Sequence, residues 1–457
     1  MSELFSEPLF SELSELLGKR FSTNHTVREV HSRDESYHTP QLPDAVVMVH
    51  SSEEVSRIVN ICAKYKCPII PFGAGTSLEG QVIPTQGGIA LDLSEMKNIL
   101  RFSDVDLDVK VQAGVTRRQL NTYLRETGLF FPVDPGADAT MGGMAGTRAS
   151  GTNAVRYGTM RENVLGLTVV MANGEIIKTG GRARKSAAGY DLTKLMIGSE
   201  GTLGIITELT LRLFGRPEAM AAAVCNFSTL EGAVNTTIET IQLGIPVARI
   251  ELLDEVQIDA INQFSKTNYP VEPTLFLEFH GTHAGVKEQA MNVAEIAKEN
   301  GGDEFQWSDK EEEKNKLWRA RHDAAYACMA LRPGSKMWVS DVCVPVSKLT
   351  ECILETRRDI DENNLLAPIV GHVGDGNFHT VILVDPDNKE EMKNCENFNK
   401  RLLDRALSMG GTITGEHGIG TGKRSALRDE HGGGVDVMKT IKLALDPLNI
   451  LNPGKLI

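Results

Sequence analysis

Apolar residues recur along this chain at two spacings, and each spacing predicts an element. "VVMVH" from Val46 is an apolar run of strand length. Ser51 and Glu54 then stand at capping-box spacing ahead of Val55, Ile58, Val59 and Cys62, which form one helical stripe. "CPIIPFG" follows, so the segment reads strand, helix, strand. Further on, Leu209, Leu211 and Leu213 alternate with Thr210 and Arg212 as in an amphipathic strand. "PTLFLEFHG" at 273–281 reads as a buried strand, 311–329 with "LWRARHDAAYAC" as a charged helical segment, and "GSKMWVSDVCVPV" as strand again. The opening "MSELFSEPLFSELSELLGKR" predicts a short amphipathic surface helix.

Between these elements lie loops crowded with glycine: "GAGTSLEG" at 73–80, "FPVDPGADATMGGMAGTRASGTNAVRYGT" at 131–159, and "GSEG" ahead of the Leu209 strand. Small residues let backbone amides approach a phosphate or a flat cofactor, and they serve ordinary turns equally well. The first loop lacks the Gly-Lys-Ser/Thr ending of a Walker sequence. Pro84 and Gly87-Gly88 interrupt the place where a nicotinamide-binding loop would continue as a helix. Taken together, the three loops offer many N–H groups for a pyrophosphate.

"GHVGDGNFH" at 371–379 places two histidines around Asp375-Gly376, a dipeptide suited to a two-residue hairpin loop. In that register His372 and His379 are directly cross-strand, with Cβ atoms about 4.5–5.5 Å apart. That is close enough to share a divalent ion. A three-residue loop would put them on opposite faces, so the metal reading depends on register, and a hydrogen-bonded hairpin without metal fits the same residues.

Composition narrows the class. The 457 residues are 41% hydrophobic and 24% charged with a formal charge of −13, which suits an ordered protein with more than one core and gives no broad nucleic-acid surface. Seven dispersed cysteines without paired CxxC motifs point to a reducing compartment. No apolar run reaches membrane-spanning length, and the acidic N-terminus does not look like a transit segment. The expected location is cytoplasmic, or the mitochondrial matrix if a leader has been removed.

"PFGAGTSLEG", "DPGADATMGGMAGTRASGTNAVRYGT", "GSEGTLGIITELTLRL", "GHVGDGNFH", "GEHGIG" and "LDPLNILNPGK", in that order, resemble the vanillyl-alcohol-oxidase/PCMH flavoproteins. The resemblance is to their FAD-linked D-lactate and D-2-hydroxy-acid dehydrogenase branch, and it covers nearly the whole chain. It implies an α+β, PCMH-type two-subdomain FAD-binding fold with a C-terminal FAD-linked oxidase substrate domain. The expected boundaries are an N-terminal helical extension at 1–40, the FAD domain at 41–216, and the C-terminal domain at 217–457, whose tail returns to the flavin.

The resemblance also assigns roles. Pro71, Gly73, Ala74, Gly75, Thr76, Ser77 and Gly80 match the first cofactor loop; Pro135, Gly136, Gly142 and Gly143 match the second. Ser150, Asn153, Tyr157 and Gly158 shape the same cleft, Glu200, Gly201 and Ile206 belong to the third signature, and Asn452 lies in the closing one. FAD is expected to be noncovalent: all eleven histidines fall outside 51–279, which speaks against a histidyl link in the first domain and leaves a cysteinyl one open. His372, His379 and Glu416 are assigned to one divalent metal, zinc or manganese, with Asn377 adding a polar contact or capping the turn. Arg321 is the expected clamp for a substrate carboxylate, with a salt bridge as its ordinary alternative and Arg319 as the neighbouring candidate. His417 is the expected general base, taking the hydroxyl proton as hydride leaves for FAD.

The implied partners are a small D-2-hydroxy acid and an external electron acceptor such as a quinone, a cytochrome or an electron-transfer flavoprotein. A homodimer stays open. One departure bears on substrate length: 2-hydroxyglutarate dehydrogenases of the family carry lysine two residues before the aspartate aligned with Asp341, and here that position is Val339. The expected substrate is therefore a monocarboxylate, with Met337 and Trp338 as pocket or core. The competing readings are an oxygen-using D-2-hydroxy-acid or glycolate oxidase, a D-2-hydroxyglutarate dehydrogenase, an ether-lipid synthase on the related scaffold, and a non-enzymatic flavin-binding scaffold.

Overall fold

The computed structural model describes residues 7–457, the side chains of 320 and 322 excepted, so residues 1–6 of the expected N-terminal extension lie outside the described residues. The chain divides into two compact units. Of the described residues, the first comprises 7–150, 158–216 and 416–457, and the second comprises 151–157 and 217–415.

The first unit contains a four-stranded sheet in which Ala45–Met48, Ile89–Asp92 and Ile69–Phe72 run parallel. It also contains a five-stranded antiparallel sheet that includes Ile205–Arg212. The helix Ser52–Tyr65 forms where the Val55, Ile58, Val59, Cys62 stripe predicts it, and that stripe is buried. Its cap differs from the expected box. Ser51 accepts from the Glu54 amide at 3.2 Å, but the Glu54 carboxylate accepts from the His50 amide at 2.8 Å and pairs with Arg20 at 2.6 Å. The N-terminal helix Glu7–Leu17 places Leu9, Leu13 and Leu17 in the core of this unit. Each such burial stabilises by about 1.5–3 kcal/mol.

The C-terminal segment is part of the same unit. Leu451 bridges Ile69 in parallel, the Ile69 amide donates to Ile450 at 2.7 Å, and the Asn452 amide donates to Ile69 at 2.8 Å. Lys442, buried, donates to Asp446, Thr202 and Leu451, which ties the closing turn to the loop before Ile205.

The second unit is built on an eight-stranded antiparallel sheet whose central members are Thr274–Gly281, Val247–Leu253, Ile369–Gly371 and Asn377–Val384. The 311–329 segment forms two helices, Glu311–His322 and Ala324–Leu331. "GSKMWVSDVCVPV" forms strands Lys336–Val339 and Val342–Cys343.

The histidine hairpin corrects the expected register. Val370 pairs with His379 and Ile369 with Thr380, so the connection is a 3-10 turn, Val373–Asp375, closed by Gly376 at φ +79°. Asp375-Gly376 therefore does not form a two-residue loop, and His372 is not directly opposite His379. Glycine decides the outcome. A Cβ on Gly376 would lie 2.1 Å from the Val344 carbonyl oxygen, and one on Gly374 would lie 2.4 Å from Ile250. The two histidines become diagonal neighbours on one face, with ring centroids 5.5 Å apart.

Candidate functional site

In the first unit the strand Ile69–Phe72 runs into the first glycine loop, where Gly75 takes φ +70° and the Phe72 ring fills the place a Cβ would need, 2.8 Å away. A Cβ on Gly73 would meet the Thr140 hydroxyl at 2.4 Å. Among the described residues, no acceptor receives the backbone amides of Gly73, Ala74, Gly75, Thr76 or Ser77. Five consecutive donors left for an outside acceptor are the kind of group that suits the pyrophosphate of a dinucleotide. The Ser77 hydroxyl donates to Asp34 at 2.9 Å, and the Ser77 carbonyl accepts from the Glu35 amide at 3.1 Å, which holds the loop's far end.

The second and third loops lie against this segment, through Thr140 at Gly73 and Gly201 at Pro71. Gly142 lies on Ala113, where a Cβ would be 2.7 Å from the alanine methyl, and the Gly143 amide donates to the Thr140 hydroxyl. Gly136, beside Pro135, has open space where its Cβ would stand. Gly201, at φ +71°, sits against Pro71, while Gly80 and Gly158 also need positive φ. Ser150 and Ile206 are buried.

Glu200 and Asn452 direct their side chains to the chain itself. Glu200 is buried and accepts the Ile419 amide at 2.7 Å on one oxygen and the Gly420 amide at 2.9 Å on the other. Burial pushes its carboxyl above the ordinary value despite these amides. The Asn452 amide group donates to the carbonyls of Gln81 and Glu200, and Gln81 donates to the His417 carbonyl at 2.8 Å. The "GEHGIG" turn is thus held through its backbone.

In the second unit His372 and His379 lie buried with ligand nitrogens within 4.8 Å of each other. The Nδ1 edge of His372 meets Glu251 at 2.7 Å, and that of His379 meets the Ser340 carbonyl at 3.1 Å, with Asp341 at 3.6 Å. Acceptors at Nδ1 place the proton there and make Nε2 the lone-pair nitrogen of each ring, the one suited to a metal. Asp341 also takes Asn377 at 2.7 Å and Thr414 at 2.6 Å, so Asn377 makes a polar contact that braces the hairpin.

Arg321 donates from Nε at 3.0 Å and Nη2 at 2.6 Å to the other oxygen of Glu251. Burial pushes the Glu251 carboxyl up, but His372 and Arg321 outweigh it and hold it below the ordinary range. No described residue accepts from Arg321 Nη1. Arg319 is exposed. Met337 packs with Val339 against the core that contains Phe276 and Trp318, and Trp338 is buried.

The same sheet face carries a second polar row. Tyr157 meets His280 at 2.7 Å, His280 meets Glu278 at 2.7 Å, and Arg249 donates to Asn153 at 3.0 Å while stacking on Trp318. Burial raises the Glu278 carboxyl, but the charge of Arg249 and the bonds from His280 and Trp318 outweigh it and leave it depressed. A depressed folded value stabilises above the ordinary glutamate value of about 4.3, and the gain is lost as pH falls through the folded value. Glu278→Gln is expected to cost roughly 3–5 kcal/mol at neutral pH. It should also flatten the acid limb of a melting-temperature profile, and an unchanged limb would show the pair to be energetically silent.

Comparison with known proteins bears on both units. The model of the FAD-linked oxidase C-terminal domain matches residues 216–456, and that of the FAD-binding domain matches 43–180. The chain is 55% identical over 440 residues to a probable mitochondrial D-lactate dehydrogenase of Danio rerio, covering 95% of this chain and 88% of the relative. It is 48% identical to a mitochondrial D-lactate dehydrogenase [cytochrome] of Arabidopsis thaliana, covering 98% and 80%, and 35% identical to glycolate oxidase subunit GlcD of Bacillus subtilis, covering 96% and 94%. Among solved structures, p-cresol methylhydroxylase with substrate bound matches in fold, with a TM-score of 0.80 at 20% identity over 100% of this chain and 97% of that one.

The chain belongs to the FAD-linked oxidases, in the branch of FAD-dependent D-lactate and D-2-hydroxy-acid dehydrogenases, and its fold is the PCMH-type FAD-binding fold with an FAD-oxidase C-terminal domain. It is an enzyme, and FAD is its cofactor. No helix among the described residues is long and apolar enough to cross a membrane.

Proposed function

We propose that this enzyme oxidises the D enantiomer of a 2-hydroxy monocarboxylate, D-lactate first, to the 2-oxo acid, using noncovalent FAD and a divalent ion, zinc or manganese. The observation that carries the reading is the arrangement around Glu251. One edge of the Arg321 guanidinium is fixed on a buried carboxylate, and the Nη1 side has no described acceptor, beside two imidazoles whose Nε2 atoms are set up as ligands. A planar fork of this kind suits a substrate carboxylate.

The amides of Gly73–Ser77 would hold the pyrophosphate, and FAD when bound supplies the hydride acceptor. His372 and His379, with Glu416 as the third donor that the family pattern supplies, would hold the ion, whose charge favours loss of a hydroxyl proton. Arg321 orients the substrate through its carboxylate, and His417 takes the hydroxyl proton. The names of the Danio and Arabidopsis relatives support D-lactate, and the word cytochrome in the second supports an acceptor of that kind. The B. subtilis relative keeps the glycolate-oxidising alternative in view.

Val339 supports the monocarboxylate. It faces Val381 across the strand pair and packs against apolar neighbours, so no lysine stands there to meet a second carboxylate. D-lactate is accordingly expected to reduce the flavin anaerobically much faster than D-2-hydroxyglutarate. Acid denaturation is expected to release all of the FAD. Fast reduction by D-2-hydroxyglutarate alone would overturn the assignment of substrate length, and flavin absorbance left on the denatured chain would overturn the noncovalent one.

A further inference from the structure

We infer that Glu251 is the positioning residue that sets the span between the metal ligand His372 and the carboxylate clamp Arg321, and through it the preference for acids whose hydroxyl sits on the carbon next to the carboxylate. The inference rests on the reading in the preceding section. Glu251 is fully buried in the Val247–Leu253 strand, between Ile250 and Leu252. Its neighbours Leu252 and Leu253 pair with Gly371 and Val370, which brings the strand alongside the start of the histidine hairpin. Its two oxygens are divided between two partners: Oε1 takes His372 Nδ1 at 2.7 Å, and Oε2 takes Arg321 Nε at 3.0 Å and Nη2 at 2.6 Å.

Three consequences follow from that division. The bond at Nδ1 selects the tautomer in which His372 Nε2 bears the lone pair. The paired bonds at Nε and Nη2 fix the plane of the guanidinium, so its Nη1 side keeps one direction. Because both partners hang from one rigid planar group on one strand, the gap between His372 Nε2 and Arg321 Nη1 cannot widen independently of either. A substrate bridging that gap must present carboxylate and hydroxyl at one fixed separation. Stability alone gives little reason for this arrangement, since well-packed apolar residues often replace a buried ion pair without loss.

The test uses the full-length, FAD-loaded enzyme and Glu251→Gln. Glutamine keeps the shape but offers one carbonyl acceptor, and its NH2 then opposes the second donor. Elemental analysis is expected to show metal affinity about 10–100-fold weaker. FAD released by acid should equal the wild-type amount. KM for D-lactate should rise, and the preference for D-lactate over D-3-hydroxybutyrate in anaerobic flavin reduction should fall by about 10-fold or more.

Glu251→Asp retains both oxygens and the charge but withdraws them by one methylene. It should recover metal while leaving the D-lactate preference reduced, and it carries the test if the glutamine variant fails to fold. A folded variant with wild-type metal content and an unchanged preference would overturn the positioning role while leaving the functional reading intact. A wild-type enzyme without metal or without reduction by any D-2-hydroxy acid would overturn the reading itself.

Discussion

Replacing His417 with alanine is expected to slow anaerobic flavin reduction by D-lactate by about 10²–10⁴-fold, the usual contribution of a well-placed general base. The expectation is sharp because the turn that carries His417 is held through its backbone. Gln81 holds the His417 carbonyl, and Glu200 holds the amides of Ile419 and Gly420, so the backbone should survive truncation. FAD content and melting temperature should therefore stay near wild type while the rate collapses, and KM should move less than kcat. Raising the pH should partly restore the rate, since hydroxide can take the proton that the imidazole no longer takes. Stopped-flow absorbance under nitrogen reads the effect, and an unchanged rate would remove His417 from the reaction.

The second large effect is expected at the histidine pair. His372→Ala or His379→Ala deletes one nitrogen ligand, and metal affinity should fall by at least the 10–100-fold typical of losing even an outer partner of a metal site. Turnover should fall with it. FAD should remain, because the donors suited to its pyrophosphate lie at Gly73–Ser77 in the other unit. The two variants should differ in stability. His372 carries the Glu251 bond, so its loss leaves a buried carboxylate with Arg321 alone, whereas His379 contacts a backbone carbonyl and Asp341. Elemental analysis alongside acid-released FAD distinguishes a ligand from a structural histidine, for which metal content would not change.

Much of the fold was legible in local patterns. The Ser52–Tyr65 helix, the Ile205–Arg212 strand with its buried leucines, and the Thr274–Gly281 strand all lie where apolar periodicity predicts them. The glycine loops were legible because clustered glycine marks a loop by itself, as the positive φ at Gly75 bears out, although the contact of Gly73 with Thr140 is long-range. The hairpin register was not. Asp-Gly suits a two-residue loop, but close approach of Gly374 to Ile250 and of Gly376 to Val344 favours a longer turn, and those neighbours are remote in sequence.

The roles of Glu251, Glu278 and Asp341, the last read only as a landmark for Val339, were not legible for a related reason. Their meaning depends on which strand pairs with which, and that is long-range information. A trace of it was present all the same. Glu251 and Glu278 each interrupt an apolar strand run with a carboxylate, and a charge in such a place needs a buried partner. The partners turned out to be His372 and Arg321 for the first, and His280 and Arg249 for the second.

The central claim is oxidation of a D-2-hydroxy acid by bound FAD in a site that fixes the substrate's handedness. It is tested most directly by mixing the purified, metal-replete enzyme anaerobically with D-lactate and, separately, with L-lactate, and following the loss of oxidised-flavin absorbance. The account predicts full and rapid bleaching by D-lactate, with little by L-lactate at the same concentration. Equal bleaching by the two enantiomers, or none by either, would contradict it.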